Sequence, residues 1–194
     1  MESTKQIKKR KDVKLQSIYS RSLLTRKIVL NINLIGKNLD EVIEQYIHDN
    51  FEGKCLVEGY IKPNSCKIIR YSCGTIERGN NVVFEAVFEC DVCFPIEGML
   101  ISCVAKNIVK AGIRAESGTE FPSPVIVFIA KDHHYNSQQF ADVKEGDKIN
   151  IRVIGQRFEL NDKYVSIIGE FVKEKEFIVR PKQNMKPRLV ISSV

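Results

Sequence analysis

The chain has 194 residues, 43% hydrophobic and 28% charged, enough apolar side chain for one large domain or two small ones and too much for wholesale disorder. Its net charge of +6 suggests an acidic partner, but the excess lies at the ends: residues 1–27 hold nine Lys/Arg against two acids, and residues 173–194 hold six against two. Residues 28–172 carry fifteen basic against twenty acidic groups, so no strongly basic domain exists, and no apolar run approaches the ~18 residues of a membrane-spanning helix. The sequence therefore reads as neither a membrane protein nor a secretory precursor.

Residues 1–24 are rich in Lys, Arg, Ser and Gln, include Lys8-Lys9-Arg10-Lys11, and show no sustained apolar period. They read as a flexible basic arm. Its use is open between a solvated extension, a nuclear-import signal and a tether to nucleic acid or an acidic surface. From Lys27, the alternation of Ile28, Leu30, Ile32 and Leu34 predicts a strand that stops at Gly36. Asn38 then offers an N-cap, with Glu41 placed for a capping box, and Leu39, Val42, Ile43, Tyr46, Ile47 and Phe51 follow helical spacing to a left-handed close at Gly53. Asp40, Glu41, Glu44, Asp49 and Glu52 fall on the solvated face, as does His48.

Strands are expected at Cys55–Ile61, Cys66–Tyr71 and Val82–Phe94, with turns at Lys62-Pro63-Asn64 and Arg78-Gly79-Asn80-Asn81. One helix covering one antiparallel sheet makes an α+β unit over residues 25–97, ended by Pro95 and a boundary at Gly98. Beyond it, over residues 98–172, only strands and turns are expected. They are Met99–Val109, Ile113–Glu116 after Gly112, Val125–Ile129, and a hairpin of Lys148–Phe158 and Tyr164–Val172 across Asn161-Asp162. Five short strands with one long excursion between the third and fourth predict an all-β Greek-key barrel of the OB type. Residues 173–194 form a basic C-terminal tail.

Six cysteines without a signal peptide read as reduced thiols of an intracellular protein. Cys90-x-x-Cys93, completed by Cys66 and Cys73, would be a zinc set, but the alternation of Phe84, Ala86, Phe88, Cys90, Val92 and Phe94 places residues three apart on opposite faces of a strand. The four read as structural thiols, and no metal or cofactor is expected. There is no phosphate-cradling glycine loop, G-x-S-x-G or H-E-x-x-H. His133 and His134 beside Asp132 are either a turn-forming surface loop or an acid/base pair awaiting a converging nucleophile or carboxylate. An OB barrel binds single strands by combining stacking rings with cations, and Phe128, Lys131, His133, His134, Tyr135 and Arg152 are the candidates for that face.

The order of elements, with Val57-Glu58-Gly59, Gly74-Thr75-Ile76-Glu77-Arg78-Gly79 and Phe94-Pro95-Ile96-Glu97-Gly98, resembles the stalk-subunit family of multi-subunit RNA polymerases, to which the seventh subunit of eukaryotic RNA polymerase II and the archaeal E subunit belong. The resemblance covers residues 26–172. It implies a truncated ribonucleoprotein-like tip domain followed by an S1-type OB barrel, in a non-catalytic subunit that docks on the polymerase core and meets nascent RNA. The docking surface it implies runs from Lys62 to Gly79, with Lys62, Pro63, Lys67, Arg70, Gly74 and Arg78 as the contacts.

The implied partners are the polymerase core subunits, a second stalk subunit, and nascent single-stranded RNA held weakly, with no membrane. Two positions depart from the family pattern. Lys62-Pro63-Asn64-Ser65-Cys66 stands where cellular relatives carry a glycine and an aromatic, and Ile113 stands where they place an aromatic on the second barrel strand. Arg180, Lys182, Lys186 and Arg188 in the tail lie outside the family core, and with a Lys/Asn/Ile-rich composition they fit a virus-encoded member. The resemblance accordingly implies the nucleus for a cellular protein, or the virion and cytoplasmic viral factory for a viral one. The competing reading is a free-standing S1-type RNA-binding protein of translation or RNA decay, which should show a basic, aromatic barrel face.

Overall fold

The long alternation ending at Cys93 becomes the central strand of the first half. In the computed structural model, which describes residues 17–77, 79–117, 120–134 and 138–172, this strand is β6 (Asn81–Cys93), preceded by β1 (Tyr19–Asn31), α1 (Leu39–Asn50), β2 (Cys55–Leu56), β3 (Gly59–Ile61), β4 (Lys67–Tyr71) and β5 (Thr75–Ile76). β1 and β6 pair antiparallel along their whole length, from Tyr19 opposite Cys93 to Asn31 opposite Asn81. β3, β4 and β5 all pair with β6, and β2 extends the sheet beyond β3.

α1 buries Ile43 and Ile47 against Ile28, Phe84 and Phe88, and Phe51 just beyond the helix stacks on Phe88 with ring centroids 5.8 Å apart. Phe88 is fully buried, so its replacement by Ala should cost about 3–5 kcal/mol. The start of the helix differs from the expected capping box: Asn38 makes no side-chain bond to a backbone N–H, and its amide instead donates to Glu41 Oε2 at 3.1 Å. Gly53, at φ 69°, closes the turn after the helix as its position predicts, and its N–H donates to the Ile61 carbonyl.

Two expected strands are drawn differently. The strand expected from Lys27 begins at Tyr19, so residues 19–24 of the predicted arm belong to the sheet. The cause is that Leu24 is the single fully buried side chain among residues 19–27; pairing with β6 is made by backbone bonds, which leave no apolar period to read. Residues 1–16 of the arm and the whole 173–194 tail lie outside the described residues. The run Cys55–Ile61 breaks into a hairpin at Gly59, whose φ of 127° is unfavourable for other residues, and where a Cβ would sit 2.5 Å from the Cys93 carbonyl oxygen.

The second half is a closed barrel of β7 (Leu100–Val109), β8 (Gly112–Glu116), β9 (Val125–Ala130), β10 (Lys148–Arg157) and β11 (Val165–Phe171), in the order β10-β11-β9-β8-β7 with β7 returning to β10. All neighbours are antiparallel except β9 and β11. This is compatible with an OB-type barrel. Inward positions such as Ile101, Ala115, Val127, Ile151 and Ile167 fill it. The excursion between β9 and β10 holds a 3-10 turn (Lys131–His133) and the one-turn α2 (Gln138–Ala141), whose Phe140 is buried in the barrel core.

The halves share a core. Cys55, Tyr60 and Cys93 are buried in the same cluster as the barrel interior, and β2 is tied to the β10–β11 turn by Cys55 N–H to Asp162 O at 2.8 Å and Asn161 N–H to Cys55 O at 2.9 Å. Burial pushes the Cys55, Cys93 and Cys103 thiols up to about 12, which keeps them protonated and inert.

Candidate functional site

The outward face of the barrel is set by the same alternation that fills its core. Ile113, Ala115, Val127 and Ile129 point in, so Arg114 and Phe128 point out, and the β8–β9 register places them directly opposite one another. Ile168 of β11 lies opposite Phe128 on its other side. Phe128 is 39% and Ile168 55% exposed, giving a ring and an aliphatic surface in line with an exposed guanidinium. Arg114 is held only loosely, with Glu116 at 3.8 Å. Lys131 and His133 continue from β9 in the 3-10 turn and are exposed.

Of the other candidates for this face, one leaves it. His134 turns inward: its ring stacks on Phe140 at 5.0 Å, meets the edge of Phe171 at 6.3 Å, and its Nε2 accepts the Phe171 N–H at 3.1 Å. Accepting through Nε2 requires the neutral ring with its proton on Nδ1. Burial pulls its pKa below the usual value, so the ring serves the barrel end rather than a bound strand. Among the described residues no carboxylate or nucleophile is hydrogen-bonded to His133 or His134. Arg152 lies on β10, across β11 from Phe128, and reaches Glu170 at 3.5 Å. Tyr135 lies outside the described residues.

Ile113 stands where the family pattern places an aromatic. It is 2% exposed and faces the core, so it occupies no stacking position, and the outward place beside Phe128 belongs to Arg114. Sequence reading overlooked Arg114 and Ile168 because period 2 reports which face a residue takes but not which residues of distant strands fall in register.

The residues of the implied docking surface divide in the same way. Pro63, Lys67 and Arg70 are exposed, the last two on β4. Lys62 is engaged within the molecule: its ammonium lies 2.7 Å from Glu120 and 4.9 Å above the Tyr19 ring. Gly74 is packed closely, since a Cβ there would come within 2.6 Å of Val82 Cγ1 and 2.9 Å of the Phe84 ring. Arg78 lies outside the described residues.

A third surface went unread in the sequence. Phe94 packs edge-on against Phe158 at 6.0 Å, with Ile96 and Leu160 two residues further along their segments; Phe94, Ile96 and Leu160 are 43%, 57% and 63% exposed. This apolar area joins the end of the first half to the end of β10. The two thiols of the C-x-x-C go to different cores, Cys90 beneath α1 and Cys93 at the junction. Among the described residues no group of three His, Cys, Asp or Glu side chains is placed to hold a metal ion.

No protein-family model matches the sequence. The chain is 27% identical over 177 residues to a protein of Acanthamoeba polyphaga mimivirus named "Putative DNA-directed RNA polymerase subunit", an alignment covering 81% of this chain and 83% of that protein. Such coverage exceeds what either half supplies alone. The likeness supports a family of RNA polymerase subunits.

Proposed function

We propose that the chain is a non-catalytic stalk subunit of a multi-subunit DNA-directed RNA polymerase, docking through its α+β half and touching nascent RNA through its barrel. The observation that carries this reading is the relative named as a polymerase subunit, whose alignment spans more of the chain than either half. The arrangement of the surfaces agrees with it. A free-standing RNA binder needs a basic, aromatic barrel face, whereas here the strand face carries Phe128 with Arg114, Lys131 and His133, the exposed Phe121 and Tyr164 lie in the segments before β9 and β11, and the barrel has as many acidic as basic residues. Few neutralised phosphates mean weak contact with a shallow salt dependence.

Protein contact has more to work with. The open edge at Pro63, Lys67 and Arg70 supplies a charged docking surface for the polymerase core, and the apolar area around Phe94, Ile96 and Leu160 offers a surface for a second subunit. The tip of the first half is then the anchor, and the barrel is carried outward toward the transcript.

The test is an affinity capture from the cells that express the intact chain, beside a Lys67→Glu/Arg70→Glu variant. Stoichiometric recovery of the large polymerase subunits, reduced at least several-fold in the variant, is the expected result. Recovery of RNA with ribosomal or decay proteins and no polymerase would overturn the reading in favour of a free-standing S1-type protein. Lys62 is left intact in this test, because reversing its charge would disturb the Glu120 contact inside the molecule.

A further inference from the structure

Cys66 and Cys90 face one another across neighbouring segments of the first half. β4 pairs with β6 from Lys67 opposite Glu89, so the next residues along, Cys66 and Cys90, fall opposite each other. The Cys66 N–H is turned away to Glu52 Oε1 at 2.9 Å, and the neighbouring Asp91 N–H goes to Ser65 Oγ at 3.2 Å. No backbone hydrogen bond joins Cys66 to Cys90. This is the cross-strand position where side chains come closest, with Cα atoms about 4.5 Å apart in regular sheets. A disulfide accepts Cα separations of about 4.4–6.8 Å.

Access and electrostatics distinguish this pair from the other cysteines. Cys66 is half-buried and lines an open groove of about 420 Å³ between α1 and the segment entering β4, which His48, Glu52 and Asn64 also line. Cys55, Cys93 and Cys103 are buried, and Cys73 is exposed in the β4–β5 connection. The neighbouring Cys66 thiol holds the Cys90 thiol below its ordinary value despite burial. The Cys90 thiol, burial and the Glu52 carboxylate push Cys66 up.

We propose that Cys66 and Cys90 form a redox-responsive dithiol, which a peroxide-class oxidant entering by the groove closes into an intramolecular disulfide. The Cys66 thiol, which reaches the groove, gives up its proton to solvent. The Cys66 sulfur then attacks one peroxide oxygen, the O–O bond breaks, and hydroxide leaves a sulfenic acid on Cys66. The Cys90 sulfur attacks that sulfenic sulfur and the S–O bond breaks, the departing oxygen taking up the Cys90 proton as water. The pair gives up two electrons and the peroxide is reduced by two. The new bond fastens the segment carrying Pro63 to the central strand of the sheet, and it does so whatever the partner of this surface is.

The test is peptide mapping of the purified full chain by mass spectrometry under non-reducing conditions, after graded hydrogen peroxide and thiol blocking. The expected result is a Cys66–Cys90 linked peptide lacking two hydrogens, reversed by dithiothreitol and formed at lower peroxide than any Cys73 product. It should persist in Cys73→Ser and vanish in Cys66→Ser, where Cys90 stays reduced. Oxidation confined to Cys73, or over-oxidised Cys66 with Cys90 still free to be blocked after unfolding, would overturn the proposal. Because the primary reading is taken on the unaltered chain, it does not depend on replacing the buried Cys90.

Discussion

The Lys62 ammonium lies 2.7 Å from the Glu120 carboxylate across the seam between sheet and barrel, and the Tyr19 hydroxyl donates to the same carboxylate at 2.6 Å. One side chain from the β8–β9 loop therefore ties down the first strand of the molecule and the β3–β4 loop together. Lys62 and Glu120 are each about one-third exposed, so water screens the pair and its coupling should be ~0.5–1 kcal/mol. A double-mutant cycle of Glu120→Gln and Lys62→Met, followed by urea unfolding, measures it. A coupling of zero would mean that the shared apolar core alone holds the seam.

The same carboxylate gives the seam an acid limit. Partial burial raises the Glu120 pKa, but the Lys62 and Tyr19 hydrogen bonds outweigh it and hold the group below its ordinary 4.5. A carboxylate depressed in the folded state contributes stability that is complete above its unfolded pKa and lost as pH falls through the folded one. Thermal unfolding of the unaltered chain should therefore weaken more than that of Glu120→Gln as pH is lowered below about 4.5. Parallel curves would remove Glu120 from the acid response.

His134 gives a second pH response at a higher pH. Its folded pKa lies below the ordinary 6.5, chiefly through burial, so folding favours the neutral ring. The unfolded chain binds the extra proton, and stability present above about 6.5 declines as pH falls below it. His134→Ala leaves the Phe171 N–H without its acceptor and removes the stack on Phe140, a loss of about 1–3 kcal/mol at neutral pH. It should also flatten the dependence between pH 5 and 7. An unchanged slope in this variant would remove His134 from the pH response.

The proposed contact with RNA would rest on Phe128 and Arg114. If Phe128 stacks a base, Phe128→Ala weakens binding of a labelled oligouridine by ~1–3 kcal/mol with little change in melting temperature, because the ring is partly exposed. Arg114→Ala should lower the slope of log affinity against log salt by about 1 if the guanidinium meets a phosphate. Wild-type affinity in both variants would remove the β8–β9 face from any RNA contact.

Gly112 tests the barrel closure itself. It lies at φ 156°, and a Cβ there would fall 2.1 Å from the Ile129 carbonyl oxygen, which is backbone and has little room to yield. Gly112→Ala should cost about 2–4 kcal/mol, read as a lower urea midpoint. A neutral result would show that β8 and β9 separate at this end without penalty.

Elements whose side chains meet one neighbouring face were legible in the residue pattern alone. Ile43 and Ile47 announced the helix, and the alternation through Phe84, Ala86 and Phe88 announced the central strand, because burial on one side imposes a period on the residues that supply it. The residue pattern likewise announced five barrel strands and the opposite facing of Cys90 and Cys93. The tertiary structure alone decided the start of β1, whose outer face is polar and whose pairing is made by the backbone. It alone placed Arg114 beside Phe128, turned His134 inward, and joined Lys62 to Glu120. Those relationships bring together residues far apart in the chain, and a local period carries no record of which distant strand becomes a neighbour or in what register it pairs.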